Sequence, residues 1–113
     1  MRATSYPVDE SEIRLIEHVF PPSLRRPQLD VPRFWSNPDL DDPVRVTALV
    51  LERPTIEDLA RTVVAYGGRH VLDVLSSLGR SGEFTTYQYE AALDLTSSAL
   101  KGVADAAREL AQA

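Results

Sequence analysis

The sequence predicts an all-α fold: a small bundle of about four to five helices behind an irregular, proline-rich N-terminal arm and strap. Three observations carry this. From Pro43 onward the apolar residues recur at spacings of three and four rather than two. All eight prolines lie at or before Pro54 and all five glycines at or after Gly67, so a proline-broken front precedes a back punctuated where helices stop. Helix-start residues (Asp42-Pro43, Thr55, and Thr85 with Gln88) head the later apolar-periodic stretches. The 113 residues therefore divide into an arm and strap over 1–42 and a helical bundle over 43–113.

The first helix is expected from Asp9 to Phe20. Asp9 and Glu12 have the spacing of a capping box, in which each side chain satisfies an open amide of the other's turn. Ile13, Ile16, Glu17 and Phe20 share one face, and Pro21-Pro22 ends the helix. Such an amphipathic arm either packs on its own body or docks on a partner. Residues 23–42 follow as a long connection with Arg25, Arg26 and Arg33, the pair Phe34-Trp35 between Pro32 and Pro38, and the acidic run Asp39, Asp41, Asp42. Leu29, Val31, Phe34, Trp35 and Leu40 give this stretch enough apolar surface to lie as a strap over the domain or over a partner. Phe34-Trp35 is then either the lid of the core or an interface anchor, since Trp and Arg often dominate binding energy.

Asp42 caps the second helix and Pro43 suits its first position. Val44, Thr47, Ala48 and Leu51 form a stripe that Val46, Leu49 and Val50 widen, and Pro54 stops the helix. Thr55 caps the third, with Asp58 three residues on as a weaker box, and its buried stripe is expected to be Ile56, Leu59, Ala60, Val63 and Val64. Gly67-Gly68 ends it, with Gly67 in the left-handed cap conformation. A fourth helix over Arg69–Leu78 is expected to end at Gly79. The last begins at a Thr85/Gln88 capping box and runs to about Leu110, roughly 38 Å. Its small residues permit close helix approach, and its larger ones (Leu93, Leu95, Leu100, Val103 and Leu110) occupy more than one face, so it has two things to cover.

Composition bounds the function. At 43% hydrophobic and 26% charged the chain is an ordinary globular one, with no apolar run long enough to span a bilayer. There is no cysteine, hence no disulfide framework or thiolate metal site. The N-terminus lacks the apolar core of a secretory signal, so a cytoplasmic location is expected. A net charge of −5 argues against a nonspecific coat on nucleic acid. His18 and His70 have no second ligand at metal spacing, and Ser76, Ser77 and Ser81 have no nucleophile elbow. No catalytic residue, cofactor or metal is expected. The third and fourth helices have the outline of a helix-turn-helix, but the fourth opens with only Arg69, His70, Asp73, Ser76 and Ser77 to read bases. DNA binding by the chain alone is therefore not the first expectation.

A resemblance sharpens this. The order Phe34-Trp35, Asp39 and Asp41, a helix ending Val50-Leu51-Glu52-Arg53, then Glu57-Asp58-Leu59, Tyr66-Gly67 and Val71-Leu72-Asp73-Val74-Leu75 resembles a family of small bacterial proteins encoded beside AbiEii-like or MenT-like nucleotidyltransferase toxins. Members are regarded as the antitoxins of those enzymes. The resemblance covers about Phe34 to Leu78; Pro54 stands where the family often has glycine, and the helix from Thr85 is longer than the family's tail. It implies an all-α, non-enzymatic inhibitor that binds its cognate tRNA-modifying nucleotidyltransferase in a hetero-oligomer and obstructs the active-site cleft. The residues expected to meet that partner are Arg25, Arg26, Arg33, Phe34, Trp35, Asp39, Asp41, Asp42 and Tyr66. The alternative is a small helical DNA-binding transcriptional regulator.

Overall fold

The computed structural model describes residues 10–34 and 36–113. Five helices follow in order: α1 (Glu10–Val19), α2 (Pro43–Glu52), α3 (Ile56–Tyr66), α4 (Gly68–Ser81) and α5 (Thr86–Gln112). The fold is an all-α bundle, with no strand among the described residues. The expected cap Asp9 and the strap residue Trp35 lie outside the described residues; every other start signal can be compared with its helix.

α5 is the axis of the bundle. Thr85 accepts from the Gln88 N–H and Gln88 Oε1 accepts from the Thr85 N–H, so both halves of the capping box form. Its 27 residues span about 40 Å. α3, α1 and α4 all pack along it, while α2 packs on α4 and α3. Buried Ala92, Ala99, Ala104 and Ala107 give α5 a low profile, and Leu100 fills the centre. One of the two things α5 covers is α1. Ile13 and Ile16 enter the same core as Leu59, Leu72, Leu75 and Leu100. Ion pairs from Glu10 to Arg69 and from Glu12 to Arg108 tie α1 to α4 and α5 at its rim.

Asp42 caps α2, accepting from the Val44 N–H at 3.4 Å, and Pro43 takes the first helical position. Thr55 caps α3, accepting from the Asp58 N–H at 3.1 Å. Gly67 serves as both the end of α3 and the start of α4, with φ 96° and ψ 148°. The positive φ was expected; the ψ is not that of the left-handed cap, because the chain must turn into a new helix within one residue rather than close the old one. Ser76 and Gly79 continue α4, which runs to Ser81. Gly79 is therefore not a stop: a Cβ there would sit 2.7 Å from the Tyr89 ring, so its role is close approach to α5. The stop is Gly82, left-handed at φ 82° and ψ 5°.

α3 is rotated from its expected orientation. Its buried face is Asp58, Leu59, Thr62, Val63, Ala65 and Tyr66, while Ile56 and Val64 are 44% and 36% exposed. The periodicity of apolar residues placed Ile56 and Val64 inward; the polar pair Asp58 and Thr62 displaces them. Thr62 donates its hydroxyl to the Asp58 carbonyl at 2.7 Å, and the Asp58 carboxylate is claimed by the strap.

Candidate partner-binding surface

The described residues of the strap over 23–42 contain no helix, and the strap is held to α3 mainly by side-chain hydrogen bonds, with two backbone bonds at its start. The Asp58 carboxylate is the centre of that attachment. Its Oδ1 accepts from the Asp30 N–H at 2.8 Å, and its Oδ2 accepts from the Val31 N–H at 3.2 Å and from Arg33 Nη2 at 2.8 Å. Asp58 is fully buried and Arg33 is 7% exposed. Burial by itself would raise the Asp58 carboxyl; the Asp30 amide, the Arg33 guanidinium and the Val31 amide outweigh it and hold the group below its ordinary value. Arg33 also donates to the Leu49 carbonyl at 3.3 Å, joining strap, α2 and α3 at one point.

On either side of this pin the strap makes shallower attachments. The Ser23 and Leu24 N–H groups both donate to the Ala65 carbonyl, at 3.0 and 3.2 Å. Arg61 donates to the Gln28 carbonyl and pairs with Asp30 at 2.6 Å. Arg26 reaches across the strap to the carbonyls of Pro38, at 2.9 Å, and Leu40, at 2.5 Å, with its guanidinium 4.3 Å above the Phe34 ring. Phe34 and Leu40 cover a second small core of Val46, Ala65 and Tyr66.

These contacts sort the sequence-predicted residues. Arg25, Arg26, Asp39, Asp41 and Asp42 are exposed along the strap, with Asp42 also serving as the α2 cap. Phe34 is half-buried between Arg26 and the second core. Arg33 and Tyr66 are buried and act from beneath, so neither presents its side chain to a partner. Trp35 lies outside the described residues. Tyr66 is 4% exposed, stands edge-on to His70 with ring centroids 5.3 Å apart, and its hydroxyl meets no hydrogen-bond partner among the described residues. Burial pushes its phenol above the ordinary value; Arg26 pulls the other way, and Asp41 and Asp42 add to the rise. His70 shares a hydrogen bond with the Thr47 hydroxyl at 3.0 Å, which fixes it between α2 and α4. Among the described residues no group of three His, Asp or Glu is placed to hold a metal ion, and no helix is long and apolar enough to cross a membrane.

Sequence reasoning missed Asp58 as the residue on which the strap depends. It reads as a first-turn helix acid, and nothing local reveals that amides 27 and 28 positions upstream will claim it. Comparison with protein-family models, with curated proteins and with solved structures gave no match.

Proposed function

We propose that this chain is an antitoxin: a non-enzymatic protein that neutralises a cognate tRNA-modifying nucleotidyltransferase by binding it directly and obstructing its active-site cleft. The observation that carries the reading is the strap. A segment with no helix or strand among its described residues is pinned from below by a buried Asp58–Arg33 pair, and Arg25, Arg26, Asp39 and Asp41 are exposed along it. A recognition segment ordered before binding loses less entropy when it binds. The motif resemblance from Phe34 to Leu78 supports the class of partner, and the acidic balance of −5 suits an enzyme whose RNA-handling cleft is basic.

The regulator reading draws less support. In the first turn of α4, Arg69 is paired with Glu10 and His70 is bonded within the bundle, so the positions that would read base edges are engaged elsewhere.

The test is co-purification and activity. The chain is co-expressed with a candidate nucleotidyltransferase toxin of the AbiEii-like or MenT-like class, and nucleotide addition to tRNA is followed with and without the chain. A stable complex with inhibited transfer is expected. Unimpaired transfer at saturating chain overturns the reading. Tight, sequence-specific binding of duplex DNA by the chain alone favours the regulator instead.

A further inference from the structure

An open groove of about 420 Å³ runs between strap residues 23–28 and the outward face of α3. Its floor is apolar, with Ala60 and Val64 one turn apart; Ile56, a turn earlier, extends the same ridge and is 44% exposed. Three arginines and no acid line it: Arg25, Arg26 and Arg61. Asp30 offsets Arg61, whereas Arg25 and Arg26 have no acidic partner among the described residues. In a chain of net charge −5 this is a local reversal of sign laid over an apolar ridge.

Leu24 adds an independent observation. It lies between the lining residues Ser23 and Arg25, its φ is +61°, and it is 65% exposed. A leucine in the left-handed region is strained, and here the conformation turns a large apolar side chain toward solvent instead of burying it. The Leu24 N–H bond to the Ala65 carbonyl holds it there. The conformation that lets the Leu24 N–H attach the strap to α3 also leaves its apolar side chain exposed beside an arginine-lined apolar groove.

We propose that this groove docks a segment of a partner protein in which acidic residues flank a leucine or aromatic anchor. The anchor lies on Val64 and Ala60 beside Leu24, and the acids meet Arg25 and Arg26. Charge complementarity selects the acidic segment, and the apolar floor distinguishes it from a nucleic-acid backbone, which would need more cations and no apolar ridge. The proposal deepens the reading of the strap as an interaction face, and it rests on that reading but not on the partner being a nucleotidyltransferase.

A displayed library of random peptides, selected against the full-length protein, supplies the probe. The best selected peptide is then titrated with amide chemical-shift mapping. Selected sequences should carry Asp or Glu around a Leu or Phe, and shifts should concentrate on residues 23–28 and on the Ile56–Val64 ridge. Arg25→Glu and Val64→Glu should each weaken the peptide by about tenfold or more, and added salt should weaken it further. Leu24→Asn, a residue that tolerates positive φ, should weaken binding while leaving the melting temperature unchanged or raised. If Val64→Glu fails to fold, exposed Arg25→Glu carries the comparison. Basic or featureless selected sequences, shifts elsewhere, or unchanged affinities overturn the proposal. So does an oligonucleotide that outcompetes the peptide, or a self-association in sedimentation that these variants abolish, which would make the occupant a second copy of the chain. If the peptide binds as expected but the candidate nucleotidyltransferase toxin does not bind at all, the antitoxin reading fails and the groove stands; if the enzyme binds wild type and groove variants alike and no acidic peptide is selected, the groove alone fails.

Discussion

Asp58 joins three parts of the molecule through one carboxylate, and its buried environment makes it intolerant of change. Asp58→Asn would leave Arg33 charged and buried without a counter-ion, and breaking such a pair costs about 3–5 kcal/mol. Chemical denaturation of the variant should show a loss of that size. The pH dependence follows from the same contacts. The folded-state pKa of Asp58 is held below its ordinary value of 3.8, so its stabilising contribution is present above that value and is lost as the pH falls below it. Acid titration of wild type should therefore show a loss of stability below about pH 4 that Asp58→Asn lacks. Two glycines separate close approach from simple helix propensity. Gly79→Ala should destabilise by about 1–3 kcal/mol through overpacking on Tyr89, whereas Gly102→Ala, where a Cβ meets nothing within 4 Å, should stabilise by about 0.5–1 kcal/mol. Thermal melting distinguishes the two signs. From sequence alone the two look alike, because the ring that crowds Gly79 is ten residues away.

Among the elements, those with local determinants were legible and those fixed by distant contacts were not. The α5 capping box and the Asp42-Pro43 start of α2 depend on residues within one turn, and both formed as read. The face of α3 did not, because the strap buries Asp58 and thereby turns Ile56 and Val64 outward. The exposed Arg25, Arg26, Asp39 and Asp41 were legible as a charged strap, but the inward placement of Arg33 and Tyr66 depends on partners in α3 and in the second core. α1 answers the question left by its amphipathic pattern. Ile16 is fully buried, so Ile16→Ala should cost about 2–5 kcal/mol in global stability rather than merely loosening an arm. Phe34 is only half-buried, and Phe34→Ala should cost less than the ~3–5 kcal/mol of an enclosed phenylalanine. Denaturant melts of both variants measure the contrast.

The whole molecule is thin: its Cα envelope measures 42 × 41 × 18 Å, which admits no more than two layers of helices. Such a slab has a large surface for its mass, and the strap exposes charges of both signs along that surface. The proposed antitoxin role requires that this outward strap face bind the partner. Calorimetric titration of a candidate nucleotidyltransferase toxin with wild type and with Arg25→Glu/Asp41→Lys tests it most directly, because both side chains are exposed and neither supports the core. The account predicts an unchanged melting temperature with affinity reduced by about tenfold or more. Wild-type affinity in the charge-reversed protein would contradict it.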